Sequence, residues 1–283
     1  MKPPPFEYAR PASLPETLSL LETPGARVLA GGQSLMPLLN LRLARPSVLV
    51  DIGRLRGLNG IAEDADGGLR LGALVRHQQL LADPIVAERA PLLRHAVRHV
   101  GHVAIRNRGT LGGSLVHADP SAELATAAVA LDAELRLLSS SGERRVRARD
   151  FFKGAFLTDI GDQELLVELG VPARPAGEGS AFLEVAPRQG DFAIVAVAAR
   201  AQTRAGALTG VTVAWSGAES VPTLAEDLGR SLEGATLEGD HLERACRDAG
   251  QRLSPPADTR TSADYRRAAL GVLAARAIRA AVG

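Results

Sequence analysis

Two glycine turns set the frame for this chain. Ala30-Gly-Gly-Gln-Ser34 follows the apolar run 26–29 and precedes a predicted helix over 35–41. Further on, Ile105-Arg-Asn-Arg-Gly-Thr-Leu-Gly-Gly-Ser114 packs three glycines, two hydroxyl residues and a helix start into one bend. Glycine permits positive φ and a close approach of backbone to ligand, and Thr110 and Ser114 can donate hydroxyls to phosphate oxygens. The amides of the first turn fall at a helix N-terminus, where anions are favoured. Read together, the two turns make a cradle for a long ligand with a diphosphate in its middle. Neither is the usual dinucleotide signature: no G-x-G-x-x-G follows a strand, and G-x-x-x-x-G-K-[ST] does not occur, which argues against a Rossmann NAD site and a P-loop.

The elements around the turns come from local signals. Ser13-Leu-Pro-Glu16 is a capping box with proline in the first turn, predicting a helix over 14–22 that Pro24-Gly25 ends. Strands are expected over 26–29 and 48–51, a hairpin across Asp64-Ala-Asp-Gly-Gly68 between 58–61 and 69–71, and helices over 76–82, 91–100 and 123–130. Strands over 134–138 and 163–169 bracket a loop at 139–142. The proline- and glycine-rich stretch 172–177 reads as a linker. Beyond it, strands at 181–185, 193–200 and 208–215 followed by helices at 237–253 and 262–281 suggest an α+β layer. The organisation expected is 1–55 and 56–172 as two lobes around a ligand, and 178–283 as a separate α+β domain.

With 283 residues, 46% of them hydrophobic, the chain can bury two modest cores without staples. Its single cysteine, Cys246, excludes an internal disulfide, an iron–sulfur cluster or a cysteine-based zinc site held by this chain alone. No run of about 18 uncharged apolar residues exists to span a membrane, and the start lacks the apolar core of a secretory signal, so a cytoplasmic protein is expected. The formal charge of +1 and the scattered arginines give no footprint for nucleic acid.

The turn Ala30-Gly-Gly-Gln-Ser34, the stretch Arg106-Asn-Arg-Gly-Thr-Leu-Gly-Gly113 and the following Ala118-Asp-Pro120 resemble the FAD-binding medium subunit of molybdenum hydroxylases. That family includes carbon monoxide dehydrogenase and xanthine dehydrogenase. The likeness extends to Gly190-Asp-Phe-Ala-Ile-Val195 and Ala263-Asp-Tyr-Arg-Arg267. It implies a two-subdomain FAD-binding fold of the PCMH/vanillyl-alcohol-oxidase type followed by an α+β domain of the CO dehydrogenase flavoprotein type. It implies FAD held by Leu29, Ala30, Gly31, Gly32, Gln33, Ser34 and Leu35 on one side and by Thr110, Leu111, Gly112, Gly113 and Ser114 on the other. Val100, Ala118, Asp119, Glu123 and Leu166 complete the set, with Glu123 standing where the family usually has aspartate. Leu183, Glu184 and Pro187 replace a lysine near the flavin and two adjacent arginines, while Arg188 and Asp191 are candidates for organising that loop. The resemblance further implies an iron–sulfur small subunit and a molybdenum-cofactor large subunit in a dimer of heterotrimers. Electrons would pass through FAD to NAD, a quinone or oxygen. The substrate, whether carbon monoxide, a purine, an aldehyde or an N-heterocycle, belongs to the large subunit.

Other chemistry is thin, as suits a flavin that does the redox work itself. Ser34, Ser114 and Ser121 lack a nucleophile elbow, no catalytic residue is assigned, and Asp119 and Glu123 read as capping or ribose-recognition groups. His95, His99 and His102 have helical spacing, but residue 96 is alanine rather than the zincin glutamate and Arg94 and Arg98 repel a cation, so they are expected at the surface or an interface. Two other classes fit the same turns: a self-sufficient FAD oxidoreductase of this fold, and a non-catalytic nucleotide-binding assembly protein.

Overall fold

The structure is a computed structural model and describes residues 2–259 and 261–283. The first lobe comprises β1 (Glu7–Ala9), α1 (Leu14–Leu21), β2 (Ala26–Leu29), α2 (Leu35–Asn40) and β3 (Val48–Asp51). Its strands pair in parallel in the order β1-β3-β2. The capping residues fix the start of α1: Ser13 Oγ accepts the Glu16 amide at 3.3 Å while Glu16 Oε2 accepts the Ala12 amide at 2.7 Å. The central strand β3 carries the buried run Val48-Leu49-Val50.

The second lobe begins with β4 (Ile61–Glu63) and β5 (Leu69–Gly72), the hairpin expected across Asp64–Gly68. Leu58 stands outside that hairpin. Its carbonyl accepts the Leu74 amide at 2.7 Å, and its side chain joins Val48, Val50, Ile52, Leu74, Leu165 and Val167 in a core shared by both lobes. Helices α3 (His77–Ala82), α4 (Pro84–Arg89), α5 (Pro91–Val97), α6 (Val103–Arg106), α7 (Leu111–His117) and α8 (Glu123–Ala130) follow. Then come β6 (Glu134–Ser139), β7 (Gly142–Arg147), α9 (Ala148–Phe151), the short pair β8 (Phe152–Gly154) and β9 (Leu157–Thr158), and β10 (Leu165–Val171). The main sheet is antiparallel in the order β4-β5-β10-β6-β7.

The remaining chain builds β11 (Gly179–Val185), β12 (Val195–Arg204), β13 (Ala207–Ser216), β14 (Thr223–Leu224), α10 (Glu226–Ser231), α11 (His241–Gln251) and α12 (Ala263–Val282), an α+β arrangement. Strand alternation divides β12 cleanly. Val195, Val197, Ala199 and Ala201 enter the core under α11 and α12, whereas Ala196 and Ala198 enter the core of the second lobe. Helix α8 explains the sharing: all its residues are buried, and a helix apolar on every side has to be enclosed on every side. Its alanines let β12 and β13 approach closely. The 172–177 stretch runs from β10 to β11, and just past it Glu178 pairs with Arg200 at 2.8 Å, largely buried, while Arg200 also donates to the Ala130 carbonyl at 2.9 Å. Cys246 is buried in α11, and burial pushes its thiol up to about 12.

Because Ala127 is fully buried in α8, in the core that this helix shares with Ala196 and Ala198 of β12, Ala127→Leu overpacks that core. We expect a loss of ~1–3 kcal/mol in urea unfolding with one cooperative transition retained.

Candidate functional site

The two glycine turns, far apart in sequence, meet. At Gly31 a Cβ would lie 2.4 Å from the Arg108 carbonyl oxygen and 3.0 Å from Gly109 Cα, so main chain presses directly on main chain there. One at Gly113 would stand 4.0 Å from the Ala30 Cβ. Residues 30–34 and 109–113 therefore line one junction between the lobes.

The first turn is an open donor surface. Among the described residues, the backbone N–H groups of Gly31, Gly32, Gln33, Ser34 and Leu35 have no protein acceptor. Gly32 adopts φ 73°, and Gln33 Nε2 donates to the Gly31 carbonyl at 3.1 Å, fixing the bend. Ser34 precedes α2 without capping it, so its exposed hydroxyl is uncommitted. Consecutive amides without acceptors are rare except where an anion or water takes them, and such a concavity suits a phosphate.

The second turn is built differently from the expectation. Its amides are already used: Leu111 N–H goes to the Val75 carbonyl at 2.9 Å, Gly112 to Ala73 at 2.8 Å and Ser114 to Thr110 at 3.0 Å. Thr110, 2% exposed, spends its Oγ as the cap of α7, accepting the Gly113 amide at 3.2 Å, rather than facing a ligand. Nor do Gly109, Gly112 and Gly113 use positive φ. Gly112 is there for close packing, since a Cβ would meet Ala73 Cβ at 2.6 Å; a valine at 112 strikes scaffold. Gly113 is exposed and Ser114 half-exposed, so these two carry the turn's accessible face.

Residues that sequence reasoning passed over hold this frame. His77, at the start of α3, donates its backbone N–H to the Gly109 carbonyl at 3.0 Å, and its Nε2 lies 3.0 Å from the Thr110 carbonyl. A carbonyl only accepts, so Nε2 carries the proton and Nδ1 is left bare, buried and without a partner among the described residues. Burial pushes the imidazole down to about 4. Beside it, Arg76 donates to the Arg108 carbonyl, and burial together with the nearby Arg108 charge lowers its guanidinium. Asp51 closes the end of β3 by accepting the Gly53 amide at 2.9 Å and the Tyr8 hydroxyl at 2.5 Å. A lone histidine opening a helix, with arginine before it, was the available signal.

The other expected residues divide by exposure. Leu29, Ala30, Leu35 and Val100 are half-buried; Leu111, Ala118 and Leu166 lie in the cores, with Leu166 in β10 under α7. Asp119 Oδ1 accepts the Ser121 amide at 2.9 Å, which closes a turn in the α7–α8 loop; α8 itself starts from Ala122 with no side-chain cap, so Asp119 does not have the capping role expected for it. Glu123 is 9% exposed, and burial, reinforced by Glu184, pushes its carboxyl up to about 8. His99 Nδ1 lies 3.1 Å from Glu184 Oε1 and its ring packs 5.5 Å from Phe182. It is thus an internal contact residue, and no cluster able to hold a metal ion occurs among the described residues. In the 186–192 loop the Asp191 amide meets the Arg188 carbonyl at 3.1 Å, so the backbone closes the bend.

Residues 4–174 match the family model of the FAD binding domain in molybdopterin dehydrogenase, and residues 180–281 that of the CO dehydrogenase flavoprotein C-terminal domain. The chain is 36% identical to the glyceraldehyde dehydrogenase medium chain of Sulfolobus acidocaldarius over 99% of both chains. It is 35% identical to the carbon monoxide dehydrogenase medium chain of Hydrogenophaga pseudoflava, covering 99% of this chain and 98% of the relative. A chain of quinoline 2-oxidoreductase from Pseudomonas putida 86 superposes with a TM-score of 0.95 at 39% identity, covering 100% of this chain and 98% of that one.

The neutral His77 makes a pH prediction. Between about pH 6.5 and about pH 4 the unfolded chain binds a proton that the folded chain refuses, so stability falls as pH drops through this window. His77→Gln keeps a donor for the Thr110 carbonyl but does not titrate. Urea unfolding at the two ends should show the wild type losing ~3 kcal/mol relative to the glutamine variant; parallel pH profiles would refute the assignment.

Proposed function

The chain belongs to the family of FAD-binding medium subunits of molybdenum hydroxylases, and from that premise we propose that it is the electron-transfer subunit of a heterotrimeric enzyme of this kind. In this reading an iron–sulfur small subunit delivers electrons that a molybdenum-cofactor large subunit has taken from substrate. The chain passes them through FAD to NAD, a quinone or oxygen, and the assembly is a dimer of heterotrimers. Residues 1–55 and 56–172 act as the two lobes gripping the cofactor, with 178–283 as the C-terminal domain.

The observation that carries the reading is the run of amides from Gly31 to Leu35 with no acceptor among the described residues, in a turn whose Gly31 packs against the second glycine turn. A diphosphate supplies the acceptors these donors lack, and the Arg76–Arg108 pair adds a positive field on the same side. Bound FAD supplies the two-electron redox chemistry. The protein's own residues bind and orient: the 31–35 amides and the Ser34 hydroxyl grip the phosphates, Gly113 leaves them room, and Ser114 offers a second hydroxyl. Leu29, Leu35 and Val100 give the cleft apolar walls that exclude water, while Asp119 and Glu123 face the polar middle of the cofactor. The buried Thr110, Leu111, Gly112, Ala118 and Leu166 set the shape from behind.

Two valine variants separate gripping from scaffolding. At Gly113 a Cβ would stand 2.7 Å from Thr110 Oγ1, the far end of a side chain, and 4.0 Å from the Ala30 Cβ, so Gly113→Val should retain the fold at a cost of ~1 kcal/mol for the disturbed cap. Its FAD affinity should fall at least about tenfold, as read by flavin absorbance of the dialysed full-length chain. Gly112→Val, driven into Ala73, should cost ~3 kcal/mol in stability first. A folded Gly113→Val chain with full flavin content would count against the cradle, and co-purification of iron–sulfur and molybdenum subunits tests the assembly.

A further inference from the structure

A cleft of about 190 Å³ lies between α11 and α12, lined by Glu243 and Arg247 from the first helix and by Val272, Ala275, Arg276 and Arg279 from the second. Glycines set one end of it. A Cβ on Gly250 would lie 2.7 Å from the Arg267 carbonyl oxygen and one on Gly271 3.0 Å from Arg247 Cα, so the helices touch main chain to main chain there. At the other end Arg279 reaches across to Glu243 Oε1 at 2.6 Å and to the Leu237 carbonyl at 3.0 Å. Charge inside the cleft is unbalanced. Glu243 stands four residues before Arg247, the favourable order for a pair on one helix, yet its carboxylate is given to Arg279 instead. Arg276 has no acid within four residues on α12. Both guanidinia are exposed, and neither has a hydrogen-bond or ion-pair partner among the described residues. By contrast Arg230, Arg244 and Arg267 on the same three helices each bond an acid three or four residues earlier. Three arginines against one glutamate leave the lining with an excess of two positive charges, in a chain whose formal charge is +1.

We propose that the α11–α12 cleft binds a small organic dicarboxylate, one carboxylate held by Arg247 from α11 and the other by Arg276 from α12. A guanidinium presents a planar fork of N–H donors that matches the two oxygens of a carboxylate. Two such forks on separate helices call for two separate anionic groups rather than one compact anion. Val272 and Ala275 offer an apolar wall for a short carbon chain between them. The volume lies below the roughly 300 Å³ at which pockets for drug-sized ligands begin, so the ligand has only a few carbons. No residue of the two glycine turns takes part, so the site stands whether or not the chain carries FAD.

The test is isothermal titration of the full chain with malonate, succinate and inorganic phosphate at fixed ionic strength. At least one of the two dicarboxylates should bind at one site per chain with a dissociation constant below about 1 mM, and phosphate more weakly. Arg247→Gln and Arg276→Gln should each weaken that binding by at least about tenfold while keeping the wild-type urea midpoint, since both side chains are exposed and unpaired. Glu243→Gln removes the one negative charge of the lining and should tighten binding a few-fold. Arg244→Gln removes the same charge from α11 outside the cleft and should leave the affinity unchanged. No saturable binding of either dicarboxylate, phosphate binding as tightly as they do, or an equal loss of affinity in Arg244→Gln overturns the proposal.

Discussion

At one point the main chain of the first lobe lies on the main chain of the second with no side chain between them. That contact, Gly31 against the Arg108 carbonyl and Gly109, sets the spacing of everything around it. A single methyl group would wedge the lobes apart, and with them the donor surface on one side from the accessible Gly113–Ser114 face on the other. The shared core of Val48, Val50 and Ile52 with Leu74, Leu165 and Val167 supplies the force that keeps the backbones together. Close packing at Gly31 decides the geometry that this force holds.

The two turns divide the labour unequally. The first keeps its amides free and its serine uncapped, so it is a binding surface that would be costly to bury without a partner. The second spends its amides on the backbone of residues 73–75 and its threonine on a helix cap, with His77 bonding the same carbonyl that Ser114 uses. A rigid wall then faces a donor-rich one. Preorganisation of this kind lowers the ordering cost when a flexible ligand binds. Helix α8 extends the rigidity outward, since its enclosure makes the second lobe and the C-terminal sheet parts of one packed body.

Much of this was written in local sequence. The strands at 26–29 and 48–51 and the helix at 123–130 emerge with the expected bounds because short apolar runs between glycine and proline signals leave few alternatives. Family membership and FAD were legible from the paired turns and are borne out by both family models. What escaped was of two kinds. Strand β7 was not among the expected strands, since its charged Glu143-Arg-Arg145 run carries no apolar alternation; it is an edge strand whose charges are balanced across it, Arg145 by Glu134 and Arg144 by Asp159 and Glu164. Helix α4 was missed although Asp83-Pro84 is a cap followed by an N-terminal proline, and Asp83 Oδ1 does accept the Ile85 amide at 2.8 Å. The roles of Thr110 and Gly112 could not be read at all, because they depend on residues 73–77 arriving beside them, a long-range pairing with no local signature.

The sealed cysteine has a consequence for a protein that handles electrons. Cys246 is buried in α11, and with its thiol held near 12 it offers no thiolate at physiological pH, hence no entry to the sulfenate chemistry that peroxide or a leaking flavin would otherwise start. Burial in α11 thus keeps the one cysteine of the sequence outside thiol redox chemistry.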